Sequence, residues 1–524
     1  MEIKKILKVI FLYGRLILDL TIDFFFSLYW DPRKKPIPPL DKKHKMLTCS
    51  AVELAQKIKQ KELKSEDLVK AVIERIKEVN PVINAIARER YEAAIAEAKE
   101  IDILISNGLS EEEAAKKPFL GVPFTTKESQ AVKDLPLTMG QWCRRREIAT
   151  EDSEAVARLK AAGAIPVAAT NLPELLVWQE TRNNVYGMTR NPHHTGRSPG
   201  GSSGAEASLT AACATVVSLC SDLGGSTRMP AFYCGSYGHH PTPGTTNLKG
   251  VFFRKGDEEE TMFSLGFISK HVEDLGPLTK VVAGDKASLL KLDREVDIKD
   301  IKFYYMESSR DMLVSSVCAD LKGAMKRVIT RLNHEAPSAS AAPQKYYHKG
   351  FNHMYSLWKH WMTKEPEDLA SLFTNGKGKA NGIIELAKKV VGMSDYCLFS
   401  IMRLLEEQYL PKVNAEWAET LTKEMKADLI SKLGDNGVLL MPSAPHPAPF
   451  HFSCLLRPYN FAYWAIVNAL QCPATQVPLG VNAQGLPLGI QVVAAPYNDA
   501  LCLTVAKYLE KEFHGVTRAC QLKD

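Results

Sequence analysis

Residues 198–230 read SPGGSSGAEASLTAACATVVSLCSDLGGSTRMP, and this stretch decides the reading of the chain. It holds two glycine-serine knots, Gly200-Gly201-Ser202-Ser203-Gly204 and Gly224-Gly225-Ser226. A run rich in Ala, Leu, Val and Cys lies between them. Glycine pairs beside serines let the backbone turn tightly and approach a ligand closely. Such loops can aim consecutive N–H groups at an anion and set a serine hydroxyl beside it. One knot alone reads equally well as a turn next to a buried helix. Two knots, followed by Arg228 and Pro230 and preceded by a well-placed lysine, point to catalysis.

That lysine is Lys127, in GVPFTTKES (residues 121–129). The turn at Gly121 feeds a short apolar strand, and Lys127 ends it. An ordinary lysine is charged at neutral pH, with a pKa near 10.4. Buried without a carboxylate partner, it loses its proton more readily and can act as a base. Taken alone, it reads as a surface lysine at a strand end.

Together these residues resemble the amidase signature family, the Ser-Ser-Lys hydrolases. Lys127 matches the family base, Ser202 the bridging serine and Ser226 the nucleophile. The resemblance runs from about residue 51 to about residue 513. It includes Asn80-Pro81-Val82-Ile83-Asn84-Ala85, Gly163-Ala164-Ile165-Pro166 and Gly485-Leu486-Pro487-Leu488-Gly489-Ile490-Gln491. Within the family, the apolar N-terminus, Asn460-Phe461-Ala462-Tyr463 and residues 479–494 look most like the fatty-acid amide hydrolases, the membrane-anchored type-2 group.

The resemblance implies an α/β fold, an α/β/α sandwich around a large mixed sheet. It also implies a mechanism. Neutral Lys127 takes a proton from Ser202, Ser202 takes one from Ser226, and Ser226 attacks the amide carbonyl to form an acyl-enzyme. Backbone N–H groups of Leu223, Gly224, Gly225 and Ser226 would hold the oxyanion. The relay then runs backward and protonates the leaving amine. The family's cis peptide would fall at Gly201–Ser202. Asp222 and Arg228 match a supporting ion pair, and Leu176 a position whose backbone faces the substrate carbonyl. Trp178 is read as a core residue. Ala205, Ala207, Ser218, Cys220 and Gln471 stand where the family often has glycine, and His240 where lysine is usual. Such glycine replacements matter only where the backbone needs positive φ or close approach.

Composition narrows the alternatives. The chain has 524 residues, 45% hydrophobic and 24% charged, with a net charge of +6. Its basic residues are dispersed, without the stripe that nucleic acid requires. Eleven cysteines without a C-x-x-C pair, and no Asn-x-Ser/Thr sequon, favour reduced thiols and a cytosol-facing catalytic domain. The endoplasmic reticulum and lipid droplets both fit. The histidine pairs at 193–194 and 239–240 lack zinc spacing, so neither metal nor cofactor is expected.

Residues 6–30, ILKVIFLYGRLILDLTIDFFFSLYW, are mostly apolar, yet contain Lys8, Arg15, Asp19 and Asp23. At 100° per residue these fall with Lys4 and Lys5 on one arc of roughly 100°. Arg15 is placed to pair with Asp19 one turn on. The favoured reading is a membrane-associated helix lying in the interface with its charged stripe toward water. A spanning helix, and a helix packed on the protein's own surface, are the rivals. Residues 1–39 are taken as this helix and a Pro-rich linker, and residues 40–524 as the amidase signature domain. Ser65-Glu66-Asp67 starts a helix with a cap and acids, and Pro81 ends it. Residues 164–169, 437–441 and 476–479 read as buried strands. Residues 285–432 read as a helical variable or cap region. Within it, residues 390–410 fit either a cap over the acyl channel or a buried core helix.

The resulting expectation is a membrane-associated serine hydrolase that cleaves fatty-acid amides through an acyl-Ser226. A lipid amide is its expected partner, and homodimerisation stays open. The alternatives are a general amidase, an amidotransferase-like subunit, and a noncatalytic lipid-binding homologue.

Overall fold

The computed structural model describes residues 2–254, 256, 258–365 and 368–523, with side chains from residue 11 onward. Thirteen strands form among them: β1 Ile86–Glu89, β2 Pro123–Lys127, β3 Ile165–Thr170, β4 Arg182–Asn183, β5 Gly187–Met188, β6 Val217–Asp222, β7 Tyr237–His240, β8 Ser264–Ser269, β9 Lys302–Tyr305, β10 Gln344–Lys345, β11 Gly437–Pro442, β12 Ala474–Val481 and β13 Pro487–Ala494. Eleven build one mixed sheet in the order β1-β3-β2-β6-β8-β7-β12-β13-β11-β9-β10, while β4 and β5 pair separately. β2 runs parallel to both β3 and β6, whereas β6 runs antiparallel to β8. Every residue of β2, β3, β6 and β8 is buried. Helices cover such strands, so their sequences read as near-continuous runs rather than alternating patterns.

The knotted stretch folds as turn, helix, strand, turn and helix. Gly204–Ala211 is a wholly buried helix, and Arg228–Cys234 is another. Ala207, Ala211, Cys220, Ala231, Cys234 and Ile268 pack together, so small side chains let the two helices approach β6 and β8 closely. Ala205, Ala207, Ser218 and Cys220 thus fill core space with helix or strand backbone. Gln471 is different: it takes φ 54°, the left-handed region where glycine is cheapest. Its side chain is fastened by Lys426 Nζ at 2.6 Å and donates to the Thr261 carbonyl at 3.2 Å.

Several local expectations change. The helix after residue 64 runs Ser65–Ile83, so Pro81 lies within its last turn. Ser65 does not cap it. The Asp102 carboxylate accepts the N–H groups of Ser65 and Glu66 at 2.8 and 3.0 Å, doing the cap's work from another helix. Residues 285–432, read as helical, also supply β9 and β10 at the sheet edge. Residues 390–410 do not form one buried helix. Helix Gly382–Val390 ends at an exposed Val390, and the turn before helix Leu398–Tyr409 leaves Val391 and Met393 exposed.

The N-terminal helix, α1, spans Glu2–Trp30. No helix among the described residues is long and apolar enough to cross a membrane. Its charged stripe faces the protein, contrary to the expectation that it faces water. Arg15 does not pair with Asp19 but donates to the carbonyls of Met312 and Leu313, each at 2.9 Å. Asp19 accepts from Ser315 Oγ at 3.2 Å and faces His446 at 3.8 Å. Burial works against a charge on His446, but Asp19 raises its pKa to about 9. Asp23 accepts from Arg457 at 2.6 Å. Trp30 stacks on Phe452. Lys4, Lys5 and Lys8 lie outside the described side chains.

Candidate active site

β2 and β6 are parallel neighbours, so their carboxyl ends lie side by side. Crevices outside such ends are where open α/β sheets place ligands. Lys127 closes β2, and Ser221 and Asp222 close β6. Lys127 is fully buried, and its Nζ donates to Ser202 Oγ at 2.5 Å and to Ser221 Oγ at 2.9 Å. Among the described residues no carboxylate forms an ion pair with it. Burial lowers its pKa, against the pull of Glu206, Cys220 and Asp222. Glu206 is itself pushed up by burial and accepts from Thr170 Oγ1 at 2.6 Å. Thr170 is the register partner of Lys127 across β2 and β3. Burial thus brings the amine's pKa down to about 8, so its neutral form is far more accessible than that of a solvated lysine, and it faces a hydroxyl.

The first knot needs glycine for steric reasons. The Gly201–Ser202 bond is cis, and a Cβ on Gly201 would meet the Trp178 carbonyl oxygen at 2.5 Å. Thr181 braces the loop, donating to the Gly200 carbonyl at 2.9 Å and accepting the Gly204 N–H at 3.0 Å.

The second knot is held by Asp222. Its carboxylate accepts the N–H groups of Gly225 at 2.8 Å and Thr227 at 3.1 Å, and Arg228 at 3.0 and 3.1 Å. Asn468 adds a bond at 3.0 Å. Burial disfavours the carboxylate charge, yet Arg228 and these donors hold its pKa far below the usual range. Arg228 in turn donates to Gln491 at 2.7 Å and Asn468 at 2.6 Å. A buried pair of this kind is stable only when its remaining donors and acceptors are satisfied. The Asp222 bond also alters the expected anion hole: the Gly225 N–H is already engaged, leaving Leu223, Gly224 and Ser226 as the candidate donors.

Ser202, Ser221, Leu223, Gly224 and Ser226 all border one cavity of about 850 Å³. Leu176, Phe252, Phe253, Phe263 and Trp358 form apolar wall, and Lys359, Lys364 and Arg403 are among the charged residues lining it. Leu176 is there as expected, at φ 62°. Trp178 also lines this cavity, stacked on Phe399, rather than lying in the core. His240 is buried, and burial drops its pKa to about 3. It cannot replace the charge of a lysine.

Sequence reasoning missed Ser221, Glu206, Asn468, Gln491 and Trp358, whose Nε1 donates to the Leu223 carbonyl at 3.0 Å. Ser221 carried a signal: it immediately precedes Asp222 on a strand parallel to that of Lys127. Gln491 lies in the quoted GLPLGIQ segment. Asn468 and Trp358 are too far from either knot in sequence to be found.

The architecture is that of an amidase-signature hydrolase. A solved structure titled "Fatty acid amide hydrolase" superposes with a TM-score of 0.71 over 91% of this chain and 87% of that one, at 20% identity. The family model for Amidase matches residues 67–503, and the chain belongs to that family; it is an amidase. It is 41% identical over 481 residues to human (Homo sapiens) fatty-acid amide hydrolase 2, covering 90% of each chain. It is 37% identical over 492 residues to fatty-acid amide hydrolase 2-B of Danio rerio, covering 92% of each.

Proposed function

We propose that this amidase cleaves fatty-acid amides, releasing a free fatty acid and an amine or ammonia, through an acyl-Ser226 intermediate. The observation that carries the reading is the 2.5 Å contact between the buried Lys127 amine and the hydroxyl of Ser202, a residue that lines the same cavity as Ser226. With the amine neutral, Ser202 turns its proton onto Nζ and can accept the proton of Ser226. Ser226 then attacks the carbonyl. The N–H groups of Leu223, Gly224 and Ser226 receive the developing oxyanion, each such donor being worth about 3 kcal/mol. The returning proton goes to the leaving nitrogen, which amide cleavage demands. Water repeats the cycle on the acyl-enzyme. The apolar walls suit an acyl chain, and the named activity of the relatives supports the same substrate class.

The membrane part of the reading rests on α1. Its polar stripe is spent on the domain, and Tyr13, Ile17, Leu20, Phe24, Phe25 and Leu28 are left 58–65% exposed. A continuous apolar face of this size marks an interaction surface. We place it in the lipid interface, with the helix flat and the domain beneath it.

Ser226→Ala tests the chemistry. It should abolish labelling by a fluorophosphonate while leaving the melting temperature intact. Persistent labelling of that variant would falsify Ser226 as the nucleophile. Lys127→Ala should depress amide turnover more than ester turnover, because an ester leaving group needs less protonation. Equal losses would remove Lys127 from that step.

A further inference from the structure

A second cavity, of about 700 Å³, lies beneath the C-terminal turns of α1. Phe25, Phe26, Tyr29, Met188, Phe452 and Arg182 line it, and it shares no lining residue with the Ser226 cavity. Its volume falls within the range of small-molecule sites, roughly 300–1,000 Å³. Aromatic rings and a methionine make most of its wall, a surface suited to a flexible hydrocarbon, and Asn183 and Asn184 add a polar edge beside Arg182. Phe25 and Tyr29 belong also to the exposed apolar face of α1, so the cavity opens beside the surface placed in the lipid interface.

Among the lining residues one is a cation. The Arg182 guanidinium lies over the Phe452 ring, 4.3 Å from its centroid. It is half-buried, and among the described residues no carboxylate forms an ion pair with it. The nearby acid is Glu180, two residues earlier. One Glu180 oxygen accepts the Phe452 N–H at 3.0 Å, and burial pushes its pKa up, against the opposing pull of Arg182. That oxygen is thus engaged by the Phe452 backbone rather than by the guanidinium. A guanidinium partly withdrawn from water presents a planar fork matched to a carboxylate.

We propose that this cavity binds one long-chain carboxylate, a free fatty-acid anion, with its head group on Arg182 and its chain along Phe25, Tyr29, Met188 and Phe452. The inference stands on the cavity and its cation alone and does not depend on the chemistry of Ser226.

Photo-crosslinking of the full chain in phosphatidylcholine vesicles tests it directly. The probes are a diazirine-bearing stearate, the corresponding fatty alcohol, and a phosphatidylserine carrying the same diazirine chain. Stearate should leave adducts on peptides containing residues 25–30, Met188 or Phe452. Arg182→Gln should cut those adducts at least fivefold, Arg182→Lys should keep most of them, and the alcohol should label weakly. A melting curve shows whether each variant is folded, and the comparison of head groups on the unaltered protein needs no variant. Three results overturn the proposal. Stearate adducts could be absent from these peptides. The alcohol could label as well as the acid, or Arg182→Gln could label undiminished, making this an apolar crevice only. The phosphatidylserine probe could outcompete the acid, assigning the site to a lipid head group.

Discussion

Lys127 and Ser221 face one another from adjacent parallel strands, with Nζ 2.9 Å from the Ser221 hydroxyl. An amine with two N–H bonds and one lone pair must be aimed if the lone pair is to meet Ser202. Ser221 supplies the second contact that fixes the aim. Ser221→Ala should lower kcat roughly tenfold, the equivalent of about 1.4 kcal/mol for one lost hydrogen bond. KM and the melting temperature should stay close to wild type, and Ser221→Thr should restore most of the rate. A changed KM with an unchanged kcat would speak for a packing role instead.

The pH dependence follows from the neighbours of Lys127. Burial lowers its pKa and the Glu206 charge raises it, so the two oppose. The proposed relay needs the neutral amine, so on that reading turnover falls as pH drops through the Lys127 pKa. Glu206→Gln removes the charge that favours the ammonium, so the Lys127 pKa falls further. The acidic limb of the kcat/KM profile should therefore move to lower pH. A limb that moves upward, or stays fixed, would show that Glu206 does not set the protonation of this amine. The same depressed pKa bears on folding. The unfolded lysine, with a pKa near 10.4, binds its proton more tightly than the folded one. Stability linked to Lys127 is full above that value and is lost as pH falls toward the folded pKa. At neutral pH, Lys127→Met should then raise the melting temperature while abolishing turnover, a trade common at active sites.

The Asp222–Arg228 pair is expected to matter most for stability. Arg228→Met leaves a fully buried carboxylate with its main cationic partner gone. Breaking such a pair costs about 3–5 kcal/mol. Denaturant unfolding should show a loss of that size, and the double variant Asp222→Asn/Arg228→Met should recover part of it. A loss below 1 kcal/mol would mean that Asn468 and the backbone donors suffice alone.

Much of this arrangement was legible because it is local. The two knots, Lys127 and the Asp222–Arg228 pair sit at strand ends or in turns, where glycine, serine and charge have narrow meanings. What escaped is what tertiary packing assigns. Asn468 and Gln491 complete the Arg228 network from elements more than 200 residues away. The cap on Ser65 comes from Asp102, and no pattern around Ser65 reports it. For α1 the periodicity correctly separated a charged stripe from an apolar face. It could not say which side the protein occupies, because a helix alone does not reveal that Met312, Ser315 and Arg457 offer partners for the charges.

Gly225 is a stricter glycine than its neighbour. It holds φ 105°, and a Cβ there would lie 2.3 Å from Trp464 Cβ. For Gly224 the nearest atoms a Cβ would meet belong to the Trp358 ring, the first at 3.1 Å. Gly225→Ala should therefore reduce fluorophosphonate labelling at least about a hundredfold and destabilise the fold, because a rigid core residue must shift. Gly224→Ala should be milder, with Trp358 giving way. Equal behaviour of the two would show that the loop relaxes freely.

Exposure of the α1 face makes a quantitative demand. Fully burying one Leu, Ile or Phe is worth about 1.5–3 kcal/mol. Ile17, Leu20 and Phe24 lie on one face and are 63%, 62% and 58% exposed. Changing all three to Ser should remove at least about 3 kcal/mol of lipid affinity, roughly a hundredfold in partition onto phosphatidylcholine vesicles. Hydrolysis of a short, water-soluble amide should stay within twofold, since these side chains do not line the Ser226 cavity. Hydrolysis of a bilayer-dissolved amide should fall along with the binding. If vesicle binding survives the triple change, the protein meets the membrane through another surface. The exposed helix end and turn at Val390, Val391 and Met393 would then be the next to alter.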